Sequence, residues 1–219
     1  MATPFLKWAG GKSRLVPMVA EGVAGLAVER YIEPFLGGGA MFFGLRARGL
    51  RAPAILADAN PELMATFAAV RDDPEAVIAA LRPLICDEAN LFACAEELAG
   101  AELRCADFAE VCAEAGPGDF VYLDPPYHPL SATARFTAYT DRAFGWDDQV
   151  RLAGAVRGLA ARGAWFALSN SAHPAIAALY EGLRPLTVQM SRAINSKGDR
   201  RAPVEEYLFF GGRRLEPGA

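Results

Sequence analysis

The run from Gly118 to Tyr127, Gly-Asp-Phe-Val-Tyr-Leu-Asp-Pro-Pro-Tyr, limits the fold more than any other stretch of the chain. Phe120 to Leu123 is apolar, aromatic and β-branched, as suits a short strand covered on both faces, and two successive prolines then forbid further sheet or helix. The chain must leave the sheet at the carboxyl edge of this strand, where open α/β sheets build their ligand crevices. Pro125 and Pro126 lack N–H groups and have fixed φ, so their carbonyls stand as acceptors beside Asp124, and Tyr127 offers a flat stacking face. Such a turn suits an amine. Asp-Pro alone reads as an ordinary β-turn with an incidental acid; Asp-Pro-Pro-Tyr directly after an apolar strand reads as a site.

Other strand ends point to the same edge. Arg30-Tyr-Ile-Glu-Pro-Phe-Leu-Gly-Gly-Gly-Ala40 reads as a short strand that ends in a glycine-rich turn, which lets a ligand approach the backbone and feeds a helix from about Ala40 to Arg48. Ala54 to Ala57 reads as a strand with Asp58 at its end, nineteen positions after Gly39, near the spacing at which an acid binds ribose hydroxyls in dinucleotide folds. The turn lacks the third glycine of Gly-x-Gly-x-x-Gly, which disfavours a hydride-transfer cofactor. Glu102 to Ala106 is a further strand followed by Asp107 and Phe108, with Asp107 equally readable as the N-cap of a helix through Ala113.

Gly11-Lys12-Ser13 resembles the end of a phosphate-binding loop, but Leu6 stands where that loop needs glycine, and no strand fits before it. Ser13 is a candidate N-cap for a helix to about Ala24. Helices are expected at Pro61 to Val70, Pro74 to Leu84, Leu91 to Leu98 and Trp146 to Ala161, and strands at Gly163 to Asn170, Arg184 to Met190 and Glu206 to Phe210. The loop from His128 to Gly145 has the composition of a lid. Arg192, Asn195, Lys197, Arg200 and Arg201 form a basic loop that, with Lys7 and Arg135, would make a phosphate-contacting rim.

The length of 219 residues, with 53% hydrophobic and 22% charged residues, suits one domain over 1–219. A formal charge of −4 excludes bulk electrostatic coating of nucleic acid but allows a local basic patch. Cys86, Cys94, Cys105 and Cys112 contain no Cys-x-x-Cys pair and accompany only two histidines, so no metal site is expected. Without a membrane-spanning apolar run or signal peptide, a cytoplasmic setting with free cysteines is the default expectation.

Taken together, Phe5 to Lys12, Glu33 to Gly39, Ile55 to Asn60, Asp124 to Tyr127, Leu130 to Tyr139 and Arg192 to Glu205 resemble, in order, the motifs of Dam-type (D12 class) DNA adenine-N6 methyltransferases. The resemblance implies a Rossmann-like α/β fold, with a mixed, mostly parallel seven-stranded sheet and helices on both faces. It implies S-adenosyl-L-methionine as cofactor, S-adenosyl-L-homocysteine as product, no metal, and a flipped adenine in DNA as substrate. On it, Trp8 and Lys12 line the cofactor pocket, Phe35 to Gly39 wrap the methionine part, Asp58 holds the ribose, and Asp107 and Phe108 flank the cofactor adenine. Asp124, which also faces the cofactor, the Pro125 carbonyl and Tyr127 hold the target adenine, and Lys7, Arg135, Tyr139 and the basic loop contact DNA. Restriction-modification is among the roles implied.

The family inserts a helical recognition lobe between the ribose acid and the Asp-Pro-Pro-Tyr strand. Here sixty-five residues separate Asp58 from Asp124 and the predicted elements use nearly all of them, so the lobe is expected to be absent or a stub near 85–90. Relaxed specificity, a specificity partner, another nucleic acid as substrate, and a pocket that binds without turnover remain open. A nucleotide-dependent oxidoreductase is the weakest alternative.

Overall fold

The computed structural model of the chain describes residues 1–8, 10–82, 87–127, 144–190 and 204–212. Among the described residues, seven strands form one sheet: β1 (Arg30–Glu33), β2 (Ala54–Asp58), β3 (Ala101–Cys105), β4 (Asp119–Leu123), β5 (Trp165–Ser171), β6 (Leu186–Met190) and β7 (Val204–Gly211), in the order β3-β2-β1-β4-β5-β7-β6. The first five run parallel, and β7 lies antiparallel between β5 and β6. The strand order reverses between β1 and β4, so a crevice opens there at the carboxyl edge. The mixed, mostly parallel seven-stranded sheet is the one expected.

Helices cover both faces. One side packs α1 (Val16–Gly22), α2 (Ala40–Arg46), α3 (Pro61–Asp72), α4 (Pro74–Leu81) and α5 (Glu88–Leu98) around Phe42, Phe43, Phe67, Phe120 and Tyr122. The other packs α6 (Phe108–Ala113), α7 (Trp146–Arg162) and α8 (Pro174–Leu179) around Val121, Leu123, Phe166 and Phe209. Burial of both faces explains why Phe120 to Leu123 of β4 reads as an unbroken apolar run, and all five residues of the strand are buried.

Local chemistry sets most helix starts. Asn60, Asp73, Asp87 and Asp107 cap α3 to α6 through side-chain oxygens, and α3, α4 and α8 begin with proline. The α1 expectation needs correction: Ser13 is not the N-cap, because the Leu15 N–H bonds to the Lys12 carbonyl and the helix begins at Val16 with proline in its first turn. Helix α8, opened by His173 and Pro174, was not anticipated.

The α1 and α2 helices meet at Gly44, where an added Cβ would lie 2.6 and 2.7 Å from the two γ-carbons of Val16. Rotation about χ1 of Val16 only exchanges one methyl for the other. Ala in place of Gly favours a helix by about 1 kcal/mol, whereas overpacking costs about 1–3 kcal/mol. Because the two γ-carbons block the site in every Val16 rotamer, the cost should fall at the upper end of that range, and Gly44→Ala is expected to lower stability by a net of about 1–2 kcal/mol in urea unfolding; an unchanged or higher midpoint would show that the two helices can separate freely.

Candidate active site

Sheet register brings the central residues together. Leu123 pairs with Leu168, so Asp124 emerges beside Ser169, and Ser171 at the end of β5 pairs with Glu206 of β7. Ser169 Oγ donates to Asp124 Oδ1 at 2.8 Å and lies 3.2 Å from the Tyr122 hydroxyl. Lys12, just before α1, is 6% exposed; its Nζ lies 3.4 Å from Asp124 Oδ1, 3.6 Å from Glu206 Oε1 and 4.3 Å from the centre of the Tyr127 ring. The ammonium thus sits between two carboxylates and an aromatic face.

Burial pushes the Asp124 carboxyl above its ordinary range; Lys12 and Ser169 pull it down, and the negative charge of Glu206 pushes it further up. Burial, with Asp124 and Glu206 nearby, also pushes the Tyr127 phenol up, so it stays neutral. The Tyr127 hydroxyl and Glu206 Oε2 are buried without a well-formed hydrogen bond.

The glycine turn forms the adjoining part of the crevice. Gly37 and Gly39 have φ of +49° and +72°, and a Cβ on Gly38 would lie 2.8 Å from Trp8 Cβ, so Trp8 packs on a turn that tolerates only glycine. Asp58 Oδ2 accepts from the Gly37 N–H at 3.0 Å and Oδ1 from the Asn60 N–H at 3.0 Å, tying the end of β2 to the turn. Phe35 stacks on Phe108 with ring centres 5.1 Å apart, and Phe144 packs edge-on to Phe35. Asp107 Oδ1 both caps α6 through the Ala109 N–H and accepts from Arg151 at 2.8 Å, while the Arg151 guanidinium lies over Phe108.

Trp8, Lys12, Phe35, Gly37, Gly39, Asp58, Asp107, Asp124 and Tyr127 therefore gather along the carboxyl edge of β1 to β4. Lys7 is exposed on the N-terminal arm. Arg135, Tyr139, Arg192, Asn195, Lys197, Arg200 and Arg201, and most of the lid segment, lie outside the described residues. No sequence motif assigns a role to Glu33, Ser169, Glu206 or Gln149, although Ser169 and Asn170 close an expected strand. Among the described residues, no group of three or more His, Cys, Asp and Glu side chains could hold a metal ion, no helix is long and apolar enough to cross a membrane, and Cys94, Cys105 and Cys112 are free thiols.

The sequence model of a family described as D12 class N6 adenine-specific DNA methyltransferase matches residues 8–97 and 81–194. Type II methyltransferase M.MjaIII of Methanocaldococcus jannaschii is 30% identical over 273 aligned positions, covering 90% of this chain and 94% of the relative. The DNA adenine methylase of Escherichia coli K12 is 27% identical over 265 positions, covering 93% of each chain. A precorrin-6y C5,15-methyltransferase from Geobacter metallireducens GS-15 shares the fold at 8% identity and a TM-score of 0.50, covering 91% of this chain and 89% of that one.

Glu33, 2% exposed at the end of β1, accepts from the Tyr31 hydroxyl at 2.7 Å. Burial is the chief cause that raises its carboxyl from 4.5 to about 8; the Tyr31 and Phe42 hydrogen bonds oppose this, and the charges of Asp124 and Asp58 add to it. The folded state then holds this proton more tightly than the unfolded one. Its contribution to stability is greatest below 4.5 and is lost as pH rises to about 8. Glu33→Gln keeps an acceptor for Tyr31 and should flatten this slope, so its stability relative to the parent should rise between pH 5 and 8 in urea unfolding. An identical pH slope in the two proteins would remove the Glu33 assignment.

Proposed function

The chain belongs to the D12 class of N6 adenine-specific DNA methyltransferases, and we propose that Asp124, Pro125 and Tyr127 hold the amine of a target adenine while S-adenosyl-L-methionine occupies the crevice over the glycine turn. The observation that carries this reading is Asp124 held by Lys12 and Ser169 at the carboxyl edge of β4.

The residues fit that cofactor. Three neighbouring parallel strands end in acids, Glu33, Asp58 and Asp124, all with carboxyls raised by burial, which favours a cationic ligand. The Phe35–Phe108 stack at the Asp107 corner suits a flat purine, and Asp58 stands where ribose hydroxyls would donate. When bound, the cofactor supplies an electrophilic methyl on a positively charged sulfur.

The work of the chain's own residues is positional and electrostatic. The N6 amine is a poor nucleophile because its lone pair is delocalised into the purine. Hydrogen bonds from its two N–H groups to Asp124 and the Pro125 carbonyl favour a more tetrahedral nitrogen, and Asp124 accepts the proton that is lost. Its raised pKa makes it a stronger base than a surface aspartate, and Ser169 keeps its orientation. Tyr127 stacks on the extruded base. Unpairing costs a few kcal/mol, of which stacking returns about 1–3 kcal/mol.

Residues 1–219 act as one catalytic domain with the recognition lobe cut down near 85–90. Two observations support this. The family match restarts within residues 81–97, and the alignment with the Methanocaldococcus relative runs to 273 positions, so more than fifty of them have no counterpart in a 219-residue chain. Lys7, Arg135, Tyr139, Arg192, Asn195, Lys197, Arg200 and Arg201 then carry the DNA backbone contacts, and target choice rests on loops or a specificity partner.

Incubation with methyl-labelled cofactor and duplex DNA, single-stranded DNA or RNA, followed by identification of the modified base, tests the reading: N6-methyladenine in DNA is expected, and label on cytosine N4 or on no base would overturn it. Asp124→Ala should lower kcat by roughly 10²–10³-fold or more while largely sparing cofactor binding; a fully active purified variant would remove Asp124 from the chemistry. The acid limb of kcat/KM for the cofactor, which reports the protein before the cation binds, should lie above the ordinary aspartate value of about 3.9. Ser169→Ala removes a bond that stabilises the carboxylate and should move the limb up; Glu206→Gln removes a like charge and should move it down. Limbs that shift together, or not at all, would show that Asp124 does not control them.

A further inference from the structure

A second buried polar chain lies behind the Asp124–Tyr127 turn. Gln149, in the first turn of α7, and Asn170, near the end of β5, are both fully buried. Gln149 Nε2 donates to the Pro126 carbonyl at 3.1 Å, Asn170 Nδ2 donates to Gln149 Oε1 at 2.9 Å, and Asn170 Oδ1 accepts from the Ser171 N–H at 2.8 Å. The ends settle its direction. A proline carbonyl can only accept and a backbone N–H can only donate, so each amide between them has one orientation that satisfies both neighbours.

Two buried amides are costly unless fully bonded, and an apolar pair of similar volume would fill the same space. What this pair supplies is a donor aimed at a segment that has no N–H groups of its own. The rings of Pro125 and Pro126 fix φ but leave ψ free, and ψ decides where each carbonyl points.

The geometry points to Gln149 as a positioning residue for the target amine, with Asn170 holding it in the donating orientation. Pinning the Pro126 carbonyl fixes the plane of the Pro126–Tyr127 peptide and hence the departure of Tyr127. It also turns the Pro126 oxygen toward α7, leaving the Pro125 carbonyl and Asp124 as the acceptors. The same stretch of α7 carries Arg151, paired with Asp107, so one helix braces the target-base turn and the cofactor corner together. The inference rests on the amine-holding role proposed for Asp124, Pro125 and Tyr127.

The full chain is used for the test, with parent methylation of adenine measured first. Asn170→Asp reverses the donor that faces Gln149 at constant size, Gln149→Glu replaces the donor by a carboxylate, and Gln149→Met removes it at similar length. Each is expected to lower kcat roughly tenfold to a hundredfold, with the KM for DNA and the cofactor dissociation constant changed by no more than about twofold. In the free protein the ¹³C carbonyl resonance of Pro126 should move upfield in all three. Folded variants with parental kcat would overturn the proposal, as would a parallel loss of kcat, cofactor affinity and melting temperature, which marks ordinary packing. If the parent methylates no adenine, the function reading fails, while the Pro126 resonance still reports on the hydrogen bond: an unmoved signal in the variants overturns the positioning role by itself.

Discussion

A carboxylate taken out of water at the end of a central strand costs several kcal/mol unless a cation and hydrogen bonds replace its hydration, and the arrangement around Asp124 is organised by that requirement. Lys12 supplies the cation, Ser169 a hydrogen bond, and Glu206 a second acid that keeps the ammonium centred rather than locked onto Asp124. Each partner comes from a different part of the chain. Lys12 precedes α1, which packs against α2 at Gly44; Ser169 comes from the parallel neighbour β5; Glu206 comes from β7, which enters the sheet antiparallel. The N-terminal arm that carries Trp8 and Lys12 is in turn held at Thr3, whose N–H and hydroxyl donate to Asn90 Oδ1 and whose carbonyl accepts from Asn90 Nδ2.

This dispersion explains what could be read from the sequence. The central strands were legible because β1, β2 and β4 are short, largely apolar runs that end at an acid or run straight into one at the ligand edge, whereas β3 shows only a brief alternation and β5 ends in Ser-Asn-Ser. Asp58, Asp124 and the glycine turn follow their strands directly, so proximity in sequence exposed them. Ser169, Glu206 and Gln149 owe their positions to register between strands, or to a helix docked from far along the chain, and no local pattern marks that. Glu33 stands beside a stronger local signal, the glycine turn, and only its place at the end of a buried strand marks it. Ser13 failed as a cap because the Lys12 carbonyl and Pro17 set the helix start, and tertiary demands on Lys12 outweighed the local preference for serine.

The acids at the ends of β1, β2 and β4 bear on selectivity. All three are pushed toward their neutral forms by burial, and Asp124 and Asp58 reinforce this at Glu33 through their charges. A cationic ligand would reverse that pressure. On the proposed reading, the stability lost by burying acids in the free protein is recovered as affinity for a positively charged cofactor and withheld from a neutral, demethylated product. The same electrostatics that destabilise the free crevice would then help to clear it after turnover.

The start of α5 bears on the proposed separation of chemistry from target choice. Asp87 caps the helix through the Asn90 N–H, Asn90 grips the N-terminal arm, and the Cys94 thiol donates to the Thr3 carbonyl one turn later. These bonds are local to α5 and the arm, and none needs a full recognition lobe near residues 85–90. On the reading that the lobe is cut down there, Trp8 and Lys12 keep their support and the Asp124 turn keeps its brace from α7. What is lost is a surface for reading bases. On that reading, catalytic geometry and sequence choice are carried by different parts of the fold, and a chain can keep the first while passing the second to its loops or to a partner.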